Sequence, residues 1–334
     1  MQKDVLNRIL TQKETAFEIE TGISLKINDN VFKPGTVRIH LPAPINASWL
    51  KEGRLIDSDP IFRMMSVEDY PQRSAYFNEI LTENREFSIQ YAFTSVHSYI
   101  KPETELIDAS VQKIFNKKDI ERFMKKSECG CESYTALNEN AVTIKDVIPS
   151  AGLKFSDAHF NFIKNNGIDS EERKNNGSKA KKLFYAVAEN YTPDFGETLN
   201  MAFVSICRIC GIPARWQGGY ALDDNGSAIS HDWCLINLAP YGWVYADAEF
   251  AKKYNSDPTL YNFFFGNIDP CMVPTASEPA ANLYPAKDYE RADKIFNVYG
   301  EVELVPGKMD SKSPLKGRGL SSNEYLAKLY IKNF

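Results

Sequence analysis

Leu199, Ala202, Phe203, Ile206 and Cys210 recur at intervals of three or four residues, the spacing of one helical face, and Gly211 ends the pattern. Asp194 followed three residues later by Glu197 has the form of an N-terminal capping pair, so the helix is expected to begin there, with Gly196 in its first turn. Beyond Pro213 the period shortens to two. Ala214 to Leu222, Asp232 to Leu238 and Trp243 to Asp247 read as strands separated by turns at Asp223-Asp224-Asn225-Gly226 and Ala239-Pro240-Tyr241-Gly242. With the second turn symmetric about Ala239, His231 and Asp247 each lie eight residues from it and meet on one face of an antiparallel pair.

The same alternation marks the start of the chain. Gly22 to Asn28, Thr36 to Leu41 and Phe87 to Phe93 alternate apolar and polar residues between turn signals, which predicts a β-sandwich over 1–105. His40 and His97 fall within this pattern and are expected on the strand surface, not as ligands. From 106 the pattern turns helical and charged, with helices expected at Ala109–Lys126, Asp157–Asn165 and Gly177–Tyr191; the turn-rich stretch Ser127–Ser150 carries Cys129 and Cys131. Lys294 to Leu304 is expected as a last strand closing the second domain, 106–304, and the tail 305–334 is expected to end in a short helix at Glu324–Asn333. The class is therefore α+β: an antiparallel sandwich, then a helix packed on an antiparallel sheet or barrel.

Length and composition narrow the partners. At 334 residues the chain suits two domains, and its 43% hydrophobic, 25% charged make-up is that of a globular protein. The net charge of −5 argues against nucleic acid as the main partner. No apolar run approaches the ~18 residues of a membrane-spanning helix. Met1 to Gln12, MQKDVLNRILTQ, is amphipathic without a secretory core, so the expected location is cytoplasmic. The six cysteines are then expected as thiols. Cys129 with Cys131, and Cys207 with Cys210, lack a zinc-like spacing or a neighbouring histidine, so neither metal nor cofactor is expected.

A histidine oriented by an aspartate is the base half of a nucleophilic triad, and its partner is a thiol or hydroxyl at a helix start. Arg208-x-x-Gly211-Ile212-Pro213-Ala214-Arg215, Gly219-Tyr220, His231-Asp232-Trp233, Gly242-Trp243-Val244 and Asp247 together resemble the core of the transglutaminase-like superfamily. That resemblance implies a papain-like fold and a Cys-His-Asp triad, with His231 and Asp247 as its second and third members. It also implies a nucleophilic cysteine about eleven residues before Cys207, and that position holds Gly196. Cys207 shares the helical face but lies ~16 Å along the axis. Glu197 adds a carboxylate where a thiolate needs cationic surroundings.

The expected function is a catalytically inactive transglutaminase-like protein that binds a protein, peptide or glycan, or serves a structural role. Trp216, Gln217, Asp232 and Trp233 are the expected cleft-lining residues. The alternative is an active cysteine hydrolase or acyltransferase that draws its thiol from Cys129, Cys131 or Cys271. A weaker reading has His231 activate water with Asp247 orienting it. Equally, the His231–Asp247 pair suits a purely structural hydrogen bond within the hairpin.

Overall fold

A computed structural model describes residues 3–12, 14–68, 70–102, 142–150, 152–168, 176–223, 225–305 and 317–333. The described chain forms two compact units. The first comprises 1–98, 218–231 and 269–334, the second 99–217 and 232–268. The boundaries fall inside two strands, between Gln217 and Gly218 and between His231 and Asp232.

The first unit starts with helix α1 (Lys3–Thr11) and strands β1 (Glu14–Ile27), β2 (Gly35–Pro42), β3 (Leu50–Asp59), β4 (Met64–Met65), β5 (Ser74–Leu81) and β6 (Glu86–Ser98). It is completed by β11 (Val273–Ala276), β12 (Glu301–Val305), β13 (Arg318–Gly319) and β14 (Tyr325–Asn333). Two antiparallel sheets, ordered β14-β1-β6-β3 and β13-β12-β2-β5-β4, form the expected sandwich. Alternate residues of β1, β2 and β6 face inward, so Ile23, Leu25, Val37, Ile39, Phe87 and Ile89 are buried in one core. Phe77 and Phe87 meet there edge to face, with ring centroids 5.4 Å apart. At Gly22 a Cβ would lie 2.7 Å from the Ile89 carbonyl oxygen, so the strands approach too closely for any side chain.

Several expectations change here. Tyr325–Asn333 is strand β14 paired with β1 from Ile19↔Asn333 to Ile27↔Tyr325, not a terminal helix. Alternation of Tyr325, Ala327, Leu329 and Ile331 with Leu326, Lys328, Tyr330 and Lys332 suits a pleated edge better than a helical face. The last strand before the tail, β12, pairs with β2 and so completes the sandwich instead of closing the second domain. The division at 105 and 304 therefore does not coincide with the compact units. His40 and His97 are buried, not on the strand surface. His40 Nδ1 lies 3.2 Å from Ser74 Oγ, and burial lowers each imidazole pKa to about 3, so both are neutral. The expected helix Ala109–Lys126, with Cys129 and Cys131, lies outside the described residues.

Between β11 and β12 the chain runs without regular structure and is tied down in part by the buried carboxylate of Glu301. Glu301 accepts from Lys287 Nζ at 2.5 Å and from the backbone N–H groups of Ala292 and Asp293 at 2.9 Å. Gln72 Nε2 donates to the carbonyls of Glu278 and Ile295 in the same stretch.

The second unit holds helices α2 (Asp157–Asn165), α3 (Asn176–Asn190), α4 (Leu199–Ile209), α5 (Ala248–Lys253) and α6 (Pro258–Phe263). Strands β7 (Ala214–Leu222), β8 (Ala228–Leu238), β9 (Gly242–Ala246) and β10 (Phe265–Gly266) belong with β11 to a five-stranded sheet in the order β10-β9-β8-β7-β11, the second unit holding β9, β10 and the parts of β7 and β8 at 214–217 and 232–238. The core helix α4 is apolar nearly all round, and Leu199 through Arg208 are buried, as expected of a helix packed on several sides. It lies against α2, α3 and α5. Gly211, at φ +75°, lets Ile212 N–H reach back to Cys207 O at 2.9 Å and end the helix. Arg208 fixes the same end, donating to Ala214 O at 2.9 Å and Ile148 O at 2.8 Å.

Candidate functional site

The start of α4 is where the sequence places the missing nucleophile. Its N-cap is Thr198, whose hydroxyl accepts from Met201 N–H at 3.0 Å. Asp194 and Glu197 instead close a turn before the helix, with Glu197 N–H bonded to Asp194 O at 3.0 Å. Gly196 therefore sits in that turn at φ +83°, three residues ahead of Leu199, and not within the first helical turn. Sequence reasoning passed over Thr198, although threonine is a good capping residue and the apolar run starts directly after it.

Asp232 of β8 meets this cap. Its Oδ2 accepts from Thr198 Oγ1 and from Trp216 Nε1, both at 2.6 Å. Trp233 Nε1 donates to Gln217 Oε1 at 2.9 Å, a second link between neighbouring strands. Trp216, Asp232 and Trp233 are buried, and Gln217 is half-buried. The four residues expected to line a cleft thus form two cross-strand pairs, Trp216 with Asp232 and Trp233 with Gln217, on opposite faces of the sheet, each giving a buried indole N–H its partner.

Asn200, two residues into the helix, was also missed. Its Nδ2 donates to Asp232 O at 2.8 Å and to Asp247 Oδ1 at 3.2 Å, while its Oδ1 accepts from Ala248 N–H at 2.8 Å. Nothing in the helical spacing distinguishes a buried asparagine from its apolar neighbours. Asp247 is fully buried and also caps α5 by accepting from Phe250 N–H at 3.0 Å. His231 lies on β8 directly before Asp232 and is buried. The hairpin register runs from Cys234↔Ala246 to Leu238↔Gly242. The turn is centred on Pro240 and not Ala239, so the symmetric register with His231 directly opposite Asp247 is displaced by two residues. His231 and Trp233 remain on one face of β8.

The described cysteines are Cys207, Cys210, Cys234 and Cys271, and all four are buried. Burial pushes the Cys207 and Cys234 thiols well above their usual pKa, and for Cys234 the carboxylates of Asp232 and Asp247 add to the effect. Cys234 donates toward Asn200 Oδ1 at 3.5 Å. Cys271 packs in the sandwich core of the first unit. No described helix is long and apolar enough to cross a membrane.

A buried helix capped against an antiparallel sheet, followed by a histidine on β8 and an aspartate after β9, defines a core of the α+β class. Residues 160–248 match the family model of the transglutaminase-like superfamily. A solved structure provisionally assigned as a cysteine protease from Cytophaga hutchinsonii is similar at 14% identity, covering 97% of this chain and 91% of the other, with a TM-score of 0.49. No curated protein matches the chain.

Proposed function

We propose that this chain is a transglutaminase-like protein without acyl-transfer catalysis, acting as a binding module for a peptide or glycan or as a structural module. The observation that carries the reading is the start of α4. The family's nucleophile position falls on Gly196, and the hydroxyl that caps the helix is engaged by Asp232 and by Met201 N–H. Thr198 Oγ1 thus has a carboxylate, not an imidazole, as its acceptor, and it spends its lone pair on the helix N–H. In this reading His231 and Asp247 are the remnant of a Cys-His-Asp triad, and Asp247 is retained for the cap and the Asn200 bond. The burial of Cys271 in an apolar core speaks against it as a substitute nucleophile.

The test is native labelling with a peptide carrying a thiol-directed electrophile, read by intact mass and peptide mapping, on wild type and on His231→Ala. The expected result is no labelling above that of a denatured control's slowest thiol. Stoichiometric labelling of any cysteine that disappears in His231→Ala would overturn the proposal.

A further inference from the structure

Glu197 stands directly beside Gly196, and its carboxylate does not swing freely. His159 Nε2 lies 2.9 Å from Glu197 Oε1, and Tyr191 OH donates to Oε2 at 3.2 Å. The His159 ring is itself fixed: its Nδ1 accepts from Ser156 N–H at 3.2 Å in a capping box, and its face stacks on Tyr191 with centroids 5.7 Å apart. The acceptor role of Nδ1 leaves the ring proton on Nε2, facing Glu197. His159 is buried and the Glu197 side chain is only 16% exposed, so water screens this charge weakly. The pair joins the start of α2, the end of α3 and the turn before α4, and both oxygens of the carboxylate are occupied. The raised pKa of Tyr191, caused first by burial and then by Glu197, is in keeping with a negative charge at this place.

We infer that Glu197, positioned by His159 and Tyr191, fixes a negative charge beside residue 196 and makes this site unable to sustain a thiolate, so that the lost nucleophile is not recovered by replacing residue 196 alone. The inference rests on the proposed loss of catalysis and adds a residue that maintains it. A thiolate needs a neighbouring cation or an open helix N-terminus. The residue that follows position 196 carries a carboxylate held in place by His159 and Tyr191, and the adjacent N-cap is already satisfied by Thr198. A like charge close to a thiol disfavours the thiolate and raises its pKa.

The experiment compares Gly196→Cys with Gly196→Cys/Glu197→Gln, reading the thiol pKa from the pH dependence of iodoacetamide alkylation at residue 196, mapped by mass spectrometry. The expected result is a pKa in the single variant above that of a free cysteine, and a fall of one unit or more in the double variant. Equal values in the two variants overturn the inference. Because φ at residue 196 is positive, far-UV circular dichroism is recorded for both. Should Gly196→Cys fail to fold, the same comparison is made with Phe195→Cys, whose position is fully exposed, where a fall of half a unit supports the inference and no fall overturns it. Labelling of the wild-type chain by the peptide electrophile is a separate outcome that sinks the proposed function and leaves the charge measurement standing.

Discussion

Asn200 Nδ2 lies 3.2 Å from Asp247 Oδ1. One amide in the first turn of α4 therefore holds the carboxylate that caps α5, while its other contacts reach the Asp232 carbonyl and the Ala248 N–H. Replacing Asn200 by Leu strips partners from three buried groups at once. Each unsatisfied group costs ~1–3 kcal/mol, so a loss of about 3 kcal/mol or more is expected in urea denaturation. A change below half a kcal/mol would show that the network is dispensable.

Asp232 links the cap of α4 to the Trp216 indole. Asp232→Asn keeps the shape and removes the charge, weakening two charge-assisted bonds of 2.6 Å. The expected cost is ~1–3 kcal/mol, with an altered near-ultraviolet dichroism signal from Trp216. An unchanged spectrum in a folded variant would contradict the shared role of this carboxylate.

Acid should weaken the sandwich through His40 and His97. Each has a folded pKa of about 3 against an ordinary value of 6.5, because burial penalises the charged ring. The unfolded chain therefore binds protons that the folded chain refuses. Stability is whole above pH 6.5 and is lost progressively as the pH falls from 6.5 toward 3, by a few kcal/mol per histidine at the lower end. Denaturation midpoints at pH 7 and pH 5 check this, and His97→Gln should flatten the difference. A variant as acid-sensitive as the wild type would refute the assignment.

Glu301 is expected to control the irregular segment between β11 and β12. In Glu301→Gln, Lys287 keeps its charge, 4% exposed, without its carboxylate partner. Removing one member of a buried pair costs ~3–5 kcal/mol. Limited proteolysis should then cut within 277–300 faster than in the wild type; equal rates would mean that the segment is held by other contacts.

The sequence showed the local elements most clearly where one period ran without competition. α2 and β7 lie at their expected bounds, and the turn chemistry placed β8 and β9 within a few residues. Family motifs pointed to the start of α4 and the β8–β9 hairpin, both of which form as elements. What stayed hidden depends on contacts between distant residues. The pairing of β1 with β14, from Ile19↔Asn333 to Ile27↔Tyr325, turns the tail into a strand, and no local window contains it. Asn200 and His159 act through partners 32 to 48 and 38 residues away, so helical spacing records only that they sit near apolar residues. The buried histidines were misplaced for a related reason: alternation assigns a face but does not say whether another sheet covers it.

The place of β14 beside β1 bears on how the polypeptide is made. During synthesis on the ribosome, β1 emerges early and then waits for roughly three hundred further residues before its neighbour exists. Until then one side of that strand offers bare amides and carbonyls to any other nascent segment. Translation order thus leaves β1 among the last strands of this sandwich to be sealed on both sides.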